Sequence, residues 1–165
     1  MYNKKIIEGD VVRWRSLSKT SYKSDFIALL DLLNRYKEFR NVFYLRYPFL
    51  RHMRFLMPQL SSLFINTESV GQGLFIHHGF STVISAKRIG SNCWVNQQVT
   101  IGHTAKGAPI IGDNVKICAG AIVIGDIHIG NNVVVAAGAT VNMDVPDNAL
   151  VVAQKARIIE NHYNN

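Results

Sequence analysis

The chain of 165 residues has little of what marks several protein classes. Two cysteines, Cys93 and Cys118, are too few for a disulfide framework. No run of 18 apolar residues occurs, so no membrane-spanning helix is expected. The opening MYNKKIIEGD lacks an apolar stretch followed by a small-residue cleavage site. No secretory signal is read there, and a cytoplasmic protein is expected. Zinc-finger spacing, an aromatic RNA-binding motif and a P-loop are all missing, so nucleic acid is not an expected partner. His52, His128 and His162 have no metal-site spacing to one another. What is plentiful is apolar: 48% of residues are hydrophobic and 18% charged. That suits a folded domain with a real core and excludes a disordered chain.

Charge is unevenly placed. Residues 1–62 carry 12 Lys and Arg against 5 Asp and Glu, whereas residues 63–165 carry 6 of each, so the whole net charge of +7 belongs to the first third. A basic segment either forms a solvated helical face or attracts an anionic partner. The pattern in DFIALLDLLNRYKEFRNVFYLR is helical, with Phe26, Leu29, Leu30, Leu33 and Tyr36 on one face and Asp25 as N-cap. Pro48 and Pro58 interrupt it. Between them FLRHMRFLM mixes Phe49, Met53 and Phe55 with Arg51 and Arg54, as in a helix packed on the second part or on a neighbouring subunit, or touching a membrane surface. Arg40, Arg46, Arg51 and Arg54 are the cations of that surface reading.

From residue 111 onward an aliphatic residue falls at every sixth position: Ile111, Ile117, Val123, Ile129, Val135 and Val141. A second apolar residue follows each four places later: Val115, Ala121, Ile127, Val133, Ala139 and Val145. The period extends back through Val70, Ile76, Val83, Ile89, Val95 and Ile101, with one extra residue before Val83 and four before Ile111. Six residues fit neither a helix nor a simple alternating strand. They fit a parallel β-helix of three short strands per coil, stacked on β-branched side chains. Twelve hexads from Val70 to Pro146 give four coils, and the four extra residues give a protruding loop at 103–110. The expected architecture is mainly β: a basic α-helical segment, 1–62, followed by a parallel β-helix with a C-terminal tail, 63–165.

These hexads, with VGQGLFIHHGFSTVIS, NCWVNQQVTIG and PIIGDNVKICAGAIVIGDIHIGNNVVVAAGATV, resemble the left-handed β-helix acyltransferases of the hexapeptide-repeat family, over roughly residues 64–159. Within it they are similar to the serine acetyltransferase branch, and the ending VPDNALVVAQKARII is similar to exopolysaccharide O-acetyltransferases of the colanic-acid type. The left hand of the helix is implied by this resemblance alone, since parallel crossovers elsewhere are right-handed. So are a homotrimer, an acetyl-CoA co-substrate with no metal, and His78 of the HHG motif as catalytic base. An imidazole with an ordinary pKa of about 6.5 is mostly neutral at pH 7 and accepts a proton. His77 and Asn66 are candidate acceptor contacts, and Asn66 or Glu68 stands near where the family's orienting Asp is found. Adjacent strand residues face opposite ways, so His77 and His78 should not share a role.

The resemblance places Ala119, Gly120, Ala137 and Gly138 along the pantetheine arm of CoA, with their backbone N–H groups toward the ligand. Lys155 and Arg157 would meet its phosphates. The serine branch has Asp in place of His77 and Arg-His in place of Gly107 and Ala108, charges suited to an amino-acid acceptor. Their absence speaks against serine, and the resemblance to the colanic-acid type implies a sugar hydroxyl of a capsular or exopolysaccharide unit as acceptor. The alternative is L-serine, as in cysteine biosynthesis. His103 and Lys106, on the loop, are expected to be solvent-exposed.

Overall fold

The computed structural model describes residues 2–19, 22, 24–67 and 69–155. Helices α1 (Tyr2–Ser18), α2 (Asp25–Arg35) and α3 (Lys37–Arg46) and a 3₁₀ helix (Pro48–Phe55) come first. Fourteen short strands follow: β1 (Leu63–Ile65), β2 (Ser69–Val70), β3 (Phe75–His77), β4 (Thr82–Ile84), β5 (Arg88–Ile89), β6 (Trp94–Asn96), β7 (Thr100–Gly102), β8 (Ile110–Ile111), β9 (Lys116–Ile117), β10 (Ile122–Ile124), β11 (His128–Ile129), β12 (Val134–Val135), β13 (Thr140–Val141) and β14 (Leu150–Val151). They form three parallel sheets, β1-β4-β7-β10-β13, β2-β5-β8-β11 and β3-β6-β9-β12-β14. Strands three apart are hydrogen-bonded, save that β14 pairs with β12, which is the three-sided solenoid that the six-residue period predicts. There are about five coils rather than four, because β1 adds a strand before Val70 and β14 one after Pro146.

The interior is three aliphatic columns. Val70, Ile89, Ile111 and Ile129 stack in one, and Ile76, Val95, Ile117 and Val135 in another. The third is Ile84, Ile101, Val123 and Val141, not Val83. Val83 is 40% exposed while Ile84 is fully buried. The inward residues Ile76 and Ile84 are eight positions apart, and the next, Ile89, only five further on. The first complete corner therefore holds two additional residues. At another corner Asn114, Asn132 and Asn148 adopt φ of +57° to +61° and hydrogen-bond to one another up the stack, amide to carbonyl. Asn tolerates this left-handed conformation better than bulkier residues.

The helices pack on the first coils and share their core. Ile7, Val11 and Trp14 recur at helical spacing on α1 and are buried. The Trp14 indole donates to the Leu74 carbonyl at 2.8 Å, and its ring meets Phe39 at 5.1 Å and Phe75 at 4.5 Å. Ser24, not Asp25, caps α2: its hydroxyl accepts from the Ile27 N–H. The expected α2 face is also rotated. Ala28, Leu32 and Leu33 are buried, whereas Phe26 and Leu30 are exposed. The chain breaks from helix at Tyr36 (φ −112°, ψ 108°), so α2 and α3 present separate faces.

Two of the basic-face arginines are structural. Arg46 pairs with Asp10 at 2.9 Å, with side chains 6% and 0% exposed, and donates to the Val70 and Gly71 carbonyls at 2.6 Å. Asp10 also accepts from the Gly73 N–H at 2.6 Å. Burial pushes its carboxyl above the ordinary value, against the pull of Arg46 and Gly73. Arg40 donates to the carbonyls of Leu33, Asn34 and Pro58 and closes the end of α2. Removing one member of a buried ion pair leaves the other uncompensated. Asp10→Ala is expected to lower the unfolding free energy by about 3–5 kcal/mol in urea denaturation.

Candidate active site

The two additional residues of the first corner shape the site. β3 ends at His77, and His78 leaves the strand with φ +61°. Register pairs His77 with Asn96, so Gln97 follows beneath His78. Ser81 and Gln98 then share the left-handed turn position, at φ +51° and +58°, and Gly79 and Phe80 are the surplus between. A non-glycine residue in this region costs on the order of 1–2 kcal/mol and persists where the surroundings impose it. Gly79 is held tightly: a Cβ there would stand 2.6 Å from Ile76 Cγ2, 3.1 Å from Leu63 Cδ2 and 3.3 Å from Glu38 Cγ. The Phe80 N–H donates to the His78 carbonyl and closes the bulge.

The histidines do not face apart as strand alternation requires, because His78 is no longer in the strand. Their ring centroids lie 4.0 Å apart, with 50° between planes. His78 is exposed and His77 half-buried. His77 continues an aromatic chain through Trp94 (5.5 Å) and Phe75 (6.1 Å) to Trp14. Burial lowers the His77 pKa below its ordinary 6.5, and the neighbouring His78 and Lys116 push the same way against Glu38. Lys116 lies over the Trp94 ring, 5.0 Å from its centroid.

Below His78 the same corner descends through Gln97, Ala119, Ala137 and Ala153, one per coil. Gly120 and Gly138 take the left-handed turn position at φ +68°, and a Cβ on either would meet nothing within 4 Å. The stripe is thus open and lined by small residues. Coils stack about 4.8 Å apart, so it runs roughly 19 Å from His78 to Ala153. Lys155, exposed, stands two residues past its foot. Two of the four expected backbone donors are engaged within the coils: Gly120 N–H bonds the Gln97 carbonyl at 3.1 Å and Gly138 N–H the Ala119 carbonyl at 3.0 Å. They are rungs of the coil-to-coil ladder. Gln97 Oε1 is buried and has no hydrogen-bond partner among the described residues.

Asn66 is not gathered here. It follows β1 on the other side of that three-residue strand, exposed, with its N–H bonded to the Ile84 carbonyl. Arg157, Glu68 and His162 lie outside the described residues. Residues 103–109 form the expected loop between β7 and β8, closed by a bridge between Thr104 and Gly107, with His103 and Lys106 exposed. Sequence reading missed Glu38, Trp94 and Gln97. The pairing of strands three apart would have found Trp94 and Gln97 beside the HHG motif, but nothing in the sequence brings α3 to it. Among the described residues no cluster of His, Cys, Asp or Glu could hold a metal.

Residues 108–142 match the family model for bacterial transferase hexapeptide (six repeats). The β-helix is similar to that of the hexapeptide-repeat transferases. A serine acetyltransferase of Synechococcus elongatus is 40% identical over 63% of this chain and 47% of its own length. The acetyltransferase WcaB of Escherichia coli K12, named for colanic acid biosynthesis, is 43% identical over 54% of this chain and 58% of its own. The matched region spans about half the length of these relatives. Among solved structures, the serine acetyltransferase of Neisseria gonorrhoeae in complex with serine superposes with a TM-score of 0.68 at 25% identity, over 95% of this chain and 69% of that one. That of Brucella abortus in complex with coenzyme A, at 24% identity and a TM-score of 0.69, shares the fold over 94% of this chain and 67% of that one.

Cys93 is buried with Sγ 3.2 Å from the Gly112 carbonyl, and burial pushes its thiol up to about 11. Cys118 borders the stripe and is half-buried. A thiol reagent at pH 8 is expected to modify Cys118 while Cys93 reacts only on unfolding, since the thiolate is the nucleophile. Mass mapping of the labelled peptides checks this.

Proposed function

We propose that the chain is an acetyl-CoA-dependent O-acetyltransferase with His78 as general base. The observation that carries the reading is His78, displaced from its strand, at the head of an open small-residue stripe. An acetyl thioester laid along that stripe has its reacting end at the imidazole, and Lys155 stands at the far end for the phosphates. His78 takes the proton of the acceptor hydroxyl as its oxygen attacks the thioester carbonyl. The tetrahedral intermediate then expels the CoA thiolate, which receives the proton, leaving an acetyl ester.

Two acceptors compete. Similarity to proteins named serine acetyltransferases, in sequence and in solved structures, favours L-serine over the sugar hydroxyl expected from the sequence. The glycan reading rests on the similarity to WcaB and on the uncharged Gly107 and Ala108. Release of free CoA is expected to saturate with L-serine. If only sugars or glycan repeat units saturate, the glycan reading replaces it. His78→Ala should lower the rate by about 10²–10⁴. An unchanged rate removes the base assignment.

A homotrimer, typical of this family, would cover the outward line of Phe64, Val83 and Ile122 on one sheet. No described helix is long and apolar enough to cross a membrane. The 3₁₀ helix supports peripheral contact with an anionic membrane instead. Phe49 and Phe55 are 70% and 80% exposed, beside exposed Arg51 and Arg54. Flotation with anionic vesicles should be lost in Phe49→Ser/Phe55→Ser and weakened in Arg51→Gln/Arg54→Gln. Binding equal to the unmodified chain sinks the membrane contact.

A further inference from the structure

The histidine corner receives one group from outside the solenoid. Glu38 is the second residue of α3, a helix that packs on β1 and β3 and is clamped to the first coil by Arg46 at its other end. Its side chain lies against Gly79, the residue after His78, where a Cβ would approach Glu38 Cγ to 3.3 Å. Gly79 leaves just enough room for it. Among the described residues, the charged or titratable groups acting on His77 are Glu38 from α3, His78 from the same corner and Lys116 from β9. Glu38 is the anion among them, and it favours the protonated His77 ring that Lys116 and His78 oppose.

We infer that Glu38 is a positioning residue for the histidine pair, its carboxylate stabilising the imidazolium formed when the pair takes the hydroxyl proton. The role rests on the acetyl-transfer reading, but the electrostatic contact beneath it does not. The two rings stand 4.0 Å apart, so a charge on one disfavours a charge on the other. An anion behind the pair offsets this. A helix outside the repeat thereby tunes a base inside it.

The test uses the full chain with Glu38→Gln, which keeps shape and removes charge, and Glu38→Asp, which keeps charge. Proton NMR of the imidazole C2 resonances follows both histidines through pH, assigned with His77→Phe and His78→Phe. In Glu38→Gln the His77 titration is expected to move to lower pH, and in Glu38→Asp to stay nearer the unmodified value. The acid limb of the rate profile should move the same way. The value of kcat should fall about tenfold, the equivalent of one pKa unit, with the acceptor KM unchanged. Unmoved histidine titrations in a Glu38→Gln chain of unaltered melting temperature overturn the inference. So does a raised acceptor KM with kcat unchanged, which makes Glu38 an acceptor contact. A chain that transfers no acetyl at all defeats the proposed function, while the NMR titration still decides on Glu38.

Discussion

Stacked coils of β-branched residues leave one freedom: length can change only at the corners. Inside, Ile89 must sit on Ile111 and Ile117 on Val135, because a one-residue slip would turn the aliphatic column outward. The two surplus residues after Ile76 are therefore expelled sideways, and His78 is carried out with them. The exposed histidine is a product of the same constraint that makes the core. Four additional residues at another corner, before Ile111, make the second departure, the loop at 103–109.

The helices belong to this arrangement and are not an appendage. Asp10 and Arg46 tie α1 and α3 to the backbone of residues 70–73, and Trp14 reaches the Leu74 carbonyl. Ring contacts of Trp14 with Phe75 and of Phe75 with His77 connect α1 to the corner. Part of the basic charge in the first third is accordingly structural. Arg46 and Arg40 hold backbone carbonyls, which leaves Arg51 and Arg54 as the cations of the exposed 3₁₀ helix.

The period of six was legible because each coil repeats the same demand, so Ile and Val announce their columns without any tertiary information. Val83 misled because β-branched residues suit both faces of a strand, and only pairing of β4 with β7 shows Ile84 to be the inward one. His78 was legible from its motif, and its relation to His77 was not, since alternation holds only while the residue stays in the strand. Asp10, Glu38 and Arg46 carried no readable pattern. Their partners lie dozens of residues away, and a lone acid on a helix is ordinarily solvated. Phe26 and Leu30 show the same limit: an apolar stripe on α2 fixes a periodicity but not which part of the helix finds a neighbour.

The clamp sits at one end of the solenoid. A repeat array gains stability from nearest-neighbour interfaces, so coils far from α1 and α3 depend on fewer of them. Opening should thus begin near β13 and β14 and stop at the coil that Arg46 and Trp14 fasten. The histidine corner lies in the last part to loosen, and Lys155 in the first. Anything lying along the whole stripe would splint the weaker end to the stronger one.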